Sequence, residues 1–310
     1  MTSFNPRSDI PSLSGKVFVI TGGTAGLGKG TITTLAQHDP AVIIFTGRNQ
    51  QAADSITEAV RKSAPNVKII FSICDVSSFA SVEKSARSIL EHIDRLDVLM
   101  LNAGIMAVDN KVSVDGYELQ FATNHLGHAL LVRRLLPLLQ KTAEQHGEAR
   151  VLNLASSAHT MAPSDGIQFS TLKSPQASLG GFPFPSKWCC YGQSKLAQIY
   201  YNQQLALRHP DILSIPIHPG VIRTGLLDNL DLFGKILFTF LKSTPIEQGH
   251  WHQCWAATCP KAKLKNGEYI EPIGIAGKGT KKTKDAGLSK KLWEWTEEEL
   301  DAWDAKQTAA

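Results

Sequence analysis

The chain has 310 residues, 43% of them apolar and 19% charged, which suits one α/β domain with a sizeable core. Its formal net charge of +4 is small and the densest basic run, Lys278 to Lys284, sits among glycines, so no nucleic-acid partner is expected. Five cysteines in no metal-ligand spacing, a polar start from Met1 to Ser14 and no apolar run of bilayer length argue against a metal site, a secretory leader and a transmembrane segment, and point to the cytoplasm.

Lys16 to Ile20 reads as a buried strand. It feeds into Thr21-Gly22-Gly23-Thr24-Ala25-Gly26-Leu27-Gly28, after which Thr31 to Gln37 reads as a helix. Glycines at 22, 26 and 28 let the backbone turn tightly and bring its N–H groups, and the helix N-terminus behind them, against a pyrophosphate. A second strand, Ala41 to Thr46, ends in Gly47-Arg48. An NAD site places a carboxylate on the ribose there; an arginine fork matches a 2′-phosphate instead, so NADP is expected. The third strand, Val67 to Ile73, closes with Cys74-Asp75-Val76, where Asp75 can accept from an adenine amino group or cap the helix over Ser77 to Ile93. The fourth, Leu96 to Leu101, ends in Asn102-Ala103-Gly104, small residues that leave room for a cofactor. This alternation predicts a parallel, doubly wound α/β sheet with its crevice at the strand carboxyl ends.

A long helix over Asp115 to Leu139 carries Asn124, with His125 and His128 expected to be structural. The fifth strand, Val151 to Ala155, delivers the hydroxyl of Ser156 to the same crevice. Tyr191 and Lys195 lie one turn apart on the next helix, where a fixed ammonium favours the phenolate and turns a phenol of pKa ~10 into a general acid/base. A sixth strand, Leu213 to Ile217, leads into the turn at His218-Pro219-Gly220. A helix over Ile246 to Thr258, a strand over Glu268 to Ile270 and an amphipathic helix over Leu288 to Lys306 complete the chain; the tryptophans of the last are expected to pack on the body or on a neighbouring chain.

In this order, the Gly-x-x-x-Gly-x-Gly turn, Asn102-Ala103-Gly104, Asn124, Ser156 and Tyr191-x-x-x-Lys195 resemble the motif set of the short-chain dehydrogenase/reductases, over about Lys16 to Ile273. Thr24, Gly127 and the Tyr-Gly-Gln-Ser-Lys wording resemble the branch that includes retinol dehydrogenases and related fungal and plant reductases. The resemblance implies a single domain over 1–310 with a Rossmann-type sheet of about seven strands in the order 3-2-1-4-5-6-7 and helices on both faces. It implies hydride transfer between NADP(H) and a carbonyl or alcohol group, with Tyr191 as acid/base, Ser156 holding the reacting oxygen, Lys195 lowering the tyrosine pKa and binding the nicotinamide ribose, and Asn124 supporting a water that links Lys195 to solvent. Gly22, Thr24, Gly26, Leu27, Gly28, Arg48, Asp75, Val76, Asn102, Ala103 and Gly104 would line the cofactor, and Pro219, Gly220, Val221 and Thr224 would anchor its carboxamide. The alternatives within this family are non-redox chemistry such as epimerisation, and a silent NADP-binding sensor.

Two departures bear on substrate. The stretch over 160–188, between Ser156 and Tyr191, is longer than in compact members and is expected to border the substrate mouth. The family's lid falls at about 225–245, and its leucines and phenylalanines point to a lipophilic substrate, a partner face or a face that touches membrane, the first two being favoured. Family members often form dimers or tetramers through the helices bearing Asn124 and Tyr191, so a homodimer or homotetramer is an expectation here.

Overall fold

A computed structural model describes residues 4–181, 183–222, 234 and 244–308. Six strands, β1 (Val17–Ile20), β2 (Val42–Gly47), β3 (Lys68–Ile73), β4 (Val98–Leu101), β5 (Ala149–Leu154) and β6 (Ile212–Ile217), run parallel. Two short strands, β7 (Ile270–Glu271) and β8 (Ile275–Ala276), finish one edge, giving the order β3-β2-β1-β4-β5-β6-β7-β8. The expected order is therefore present with one strand added. β8 pairs antiparallel with β7 across a turn at Gly274, whose φ is +70°, and strands of two residues have no periodicity to read.

Side chains alternate across the sheet, so each strand feeds two cores. Phe18, Ile20, Ile43, Phe45, Val98 and Met100 pack with helices α1 (Gly26–Ala36), α2 (Gln50–Ser63) and, further along the chain, the short helix Trp251–Thr258. Val19, Ile44, Leu99, Leu101 and Val151 pack on the other face with α3 (Phe79–Leu90), α4 (Gly127–His146) and α5 (Ser186–Arg208). The helix over Trp251–Thr258 is α6; the expected single helix from Ile246 is broken at His250, whose Nε2 lies 2.8 Å from Thr34 Oγ1 on α1.

The helix expected from Asp115 starts late and is not uniform. The chain turns at Gly116, with φ +85°, and the buried Glu118 carboxylate accepts from the N–H groups of Gln120 and Phe121, which sets the helix start at Leu119. A π-helical turn over Ala122–Leu126 follows, then α4 to His146. A Cβ at Gly127 would run into the Val76 carbonyl, so the wide turn docks directly on the segment after β3.

The last helix, α7 (Ala286–Thr308), lies over α4 and α5. Leu292 and Leu300 are fully buried, Trp293 stacks on Tyr201 with ring centres 5.0 Å apart, and Trp303 meets Phe79 edge-on at 5.4 Å. Arg133 pairs with Glu297 and Asp301, and Arg134 with Glu83 and Asp304. The tryptophans thus pack on the body of the same chain, and both α4 and α5 carry contacts to α7. No described helix is long and apolar enough to cross a membrane. Thr224 and most of the expected lid over 225–245 lie outside the described residues.

Candidate active site

The glycine turn leaves β1 at its carboxyl end. Gly22 has φ +65° and a Cβ there would stand 2.8 Å from Ala103 Cα, so only glycine lets this turn approach the end of β4. Asn102 fastens the two together: its Nδ2 donates to the carbonyls of Thr21 at 2.8 Å and Gly22 at 3.1 Å, while Ala103 N donates to Thr21 Oγ1 at 3.0 Å. Gly26 has φ +51°, and Gly28 packs where a Cβ would meet the Gly22 carbonyl. Helix α1 starts behind them at Ala25 with no side-chain cap, leaving its first N–H groups for a ligand. Leu27 packs on the apolar core beneath, and its carbonyl accepts from Thr31 at 2.9 Å.

At the end of β2, Arg48 is exposed and its guanidinium lies 3.9 Å from Asp75. Asp75 is engaged locally: its Oδ1 accepts from Ser77 N at 3.0 Å and Ser77 Oγ at 2.7 Å, close to the capping alternative, although Ser78 is the N-cap of α3 itself. Val76 lines the contact with Gly127. Beyond β6, Gly220 has φ +101°, the Val221 carbonyl accepts from Thr244 N at 2.8 Å, and the His218 N–H is held by the Ile270 carbonyl at 2.9 Å.

The four catalytic candidates converge at the carboxyl ends of β4 and β5. Ser156 follows β5, and its Oγ accepts from Ala158 N at 3.1 Å. Lys195 Nζ lies 5.5 Å from the Tyr191 ring centre and donates to the carbonyl of Leu154, the last residue of β5, at 2.7 Å. Asn124 is held on three sides: its Oδ1 accepts from Ile105 N at 2.9 Å and its Nδ2 donates to Ile105 O at 3.0 Å and Ser194 Oγ at 2.9 Å. Gly104 fits between, since a Cβ there would be 3.1 Å from Asn124 Oδ1 and 3.7 Å from Lys195 Nζ.

Electrostatics here differ from the expectation that the ammonium pulls the phenol down. Burial pushes the Tyr191 phenol up to about 12, opposed by the nearby Ser156 hydroxyl. Burial also pulls Lys195 down to about 7. A low-dielectric pocket penalises the charged form of each group. His125 and His128 are pushed by burial to about 3 and about 4, so both stay neutral; their partners are Thr296, Thr21 and the Asn124 carbonyl, in keeping with a structural part.

Sequence reasoning missed three buried glutamines. Gln193 on α5 accepts from Gln168 N at 2.8 Å and donates to Gln176 Oε1 at 2.9 Å, which ties the long stretch before α5 to the catalytic helix. Gln198 accepts from Lys195 Nζ at 2.8 Å. Gln253 on α6 reaches back to Thr31, with Leu27 O and Asn102 Oδ1 each at 3.4 Å. Their only signal in the sequence is an amide inside an otherwise apolar helix, which needs a partner once buried.

A family model described as short chain dehydrogenase matches residues 16–175. An uncharacterized oxidoreductase of Schizosaccharomyces pombe is 38% identical over 87% of this chain and 80% of its own length. Human polyprenol dehydrogenase is 31% identical over 86% of this chain and 78% of its own length. Among solved structures, an uncharacterized protein from Mycobacterium paratuberculosis superposes with a TM-score of 0.70 at 27% identity, covering 96% of this chain and 97% of that one.

Proposed function

The chain belongs to the short-chain dehydrogenase family of oxidoreductases, and from that premise we propose that it is an NADP(H)-dependent enzyme that interconverts a carbonyl and an alcohol on a lipophilic small molecule. The observation that carries this reading is the buried Tyr191–Lys195 pair beside Ser156, at the carboxyl ends of the same sheet whose first strand ends in the glycine turn. The pyrophosphate of the cofactor fits the uncapped start of α1 and the turn that Gly22 allows, with Arg48 for a 2′-phosphate. When bound, NADPH supplies a hydride to the carbonyl carbon.

The chain supplies the proton. Tyr191, kept neutral by burial, is a ready donor to the carbonyl oxygen, and the Ser156 hydroxyl donates to the same oxygen as negative charge develops. Lys195 steadies the phenolate that results, one helical turn away. In the oxidative direction the same groups run in reverse, with the phenolate accepting the proton of an alcohol.

A lipophilic substrate is supported by the apolar group around Ala107 and Trp188, which includes Met106, Met161 and Phe184 and joins the segment after β4 to the turn after Ser156. The similar human protein acts, by its name, on polyprenols. The five cysteines are free and buried, in keeping with the cytoplasm or another reducing compartment. The test is calorimetric titration with NADPH and NADH, followed by a panel of isoprenoid, aromatic and small polar ketones and aldehydes watched at the NADPH absorbance. Tight NADPH-selective binding with oxidation by apolar carbonyls is expected; failure to bind either nucleotide overturns the reading.

A further inference from the structure

Lys195 has a seat that neither the glycine turn nor Tyr191 provides. Its Nζ donates to Leu154 O at 2.7 Å and to Gln198 Oε1 at 2.8 Å. On the far side of that carboxamide, Gln198 Nε2 donates to the main-chain oxygen of Asn124 at 2.8 Å and to Asn153 Oδ1 at 2.6 Å. Gln198 is completely buried, and both its N–H groups and its oxygen are used. The orientation follows from chemistry, because an ammonium only donates and a main-chain carbonyl only accepts.

The family resemblance implies a water supported by Asn124 that links Lys195 to solvent. In this chain a side chain makes the join between the two residues. A carboxamide can hold a hydrogen bond at each end. We propose that Gln198 is a positioning residue, a fixed bridge that seats the Lys195 ammonium against the main chain at Asn124 and sets how firmly it holds its proton. The proposal rests on the acid/base reading of Tyr191 and Lys195.

Among the described residues, the titratable groups facing Lys195 are Tyr191 on its own helix, His128 on α4 and His218 after β6, and none of these is a carboxylate. The acceptors of the ammonium are two uncharged oxygens, Leu154 O and Gln198 Oε1. Gln198 therefore influences how firmly Lys195 keeps its proton, and this can be read without cofactor or substrate.

The experiment uses the full chain carrying lysine labelled with carbon-13 at Cε, free of nucleotide. The Lys195 signal is assigned by its loss in Lys195→Met and followed from pH ~5 to ~10. Gln198→Met removes the acceptor and should lower the midpoint by ~0.5 unit or more; Gln198→Glu places a carboxylate against the ammonium and should raise it by ~1 unit. Asn202→Ala, whose side chain touches the same helical turn through Gln198 O, should leave the midpoint in place. Should Gln198→Met not fold, the upward shift in Gln198→Glu decides alone. Midpoints in the Gln198 variants equal to that of the unmodified chain would overturn the proposal, whatever the outcome with nucleotides.

Discussion

The side chain of Thr24 lies directly against the α-carbon of Gly47: a Cβ at position 47 would stand 2.6 Å from Thr24 Cγ2 and 2.7 Å from Thr24 Oγ1. The end of β2 is where an NAD site carries its ribose-binding carboxylate, and here Thr24 fills the space such a side chain would need. With position 47 confined to glycine, the charged side chain directly after β2 is Arg48.

Arg48→Ala should therefore weaken NADPH binding by about 10- to 100-fold, the scale of a lost charge-assisted hydrogen bond, and leave NADH binding within about twofold. Calorimetric titration of both nucleotides measures the difference. Equal losses for the two would remove the 2′-phosphate argument.

Tyr191→Phe removes the proton donor and keeps the ring. Turnover of any carbonyl substrate should fall by at least ~100-fold, with NADPH affinity within about twofold. A variant that keeps most of its turnover would assign the proton to another group.

Lys195 also leaves a mark on stability. Its folded pKa, about 7, is depressed below the ordinary lysine value by burial, so between pH ~7 and ~10.4 the unfolded chain binds more protons than the folded one at this site. Stability from this residue is thus gained as pH rises through that window and lost as pH falls through it. Relative to Lys195→Met, the unmodified chain should gain melting temperature from pH 7 to pH 10; parallel curves would show that Lys195 titrates normally.

Gln193 carries the attachment of the stretch before α5. Gln193→Ala strips partners from Gln168 N and the buried Gln176, and should cost about 1–3 kcal/mol in urea unfolding. Limited proteolysis should then cut faster between Gln168 and Gly181. An unchanged cleavage pattern would mean that the other ties, among them Asn110, which donates to Pro175 O and accepts from Ser186 Oγ, Glu118 N on Leu172 O, and the Lys173–Glu299 pair, hold the segment.

Much of this architecture could be read from local pattern. The β-branched run before Thr21, the glycines at 22, 26 and 28, and the one-turn spacing of Tyr191 and Lys195 each express a rule that acts within a few residues, and the structure brings them to one crevice. What escaped depends on partners far along the chain. The helix start at Leu119 is set by the buried Glu118, and Val76 receives the wide turn only because position 127 is glycine. Gln253 meets Asn102 across the fold, and no local periodicity announces such a pair. The π turn at Asn124 likewise has the composition of any buried helical segment. The upward shift of Tyr191 is hidden for a different reason: spacing reveals the ammonium, whereas desolvation depends on the complete pocket.

Helix α7 has a further consequence for how the catalytic helix is held. Support that comes from another molecule weakens as the protein is diluted, because its occupancy follows concentration. Here the aromatic and ionic contacts to α3, α4 and α5 belong to the same chain, through Trp293, Trp303, Arg133 and Arg134. Their occupancy is governed by a tether, so it is the same at nanomolar as at millimolar protein. The brace behind Tyr191 and Lys195 is present in every copy of the chain, from the moment its last residues fold.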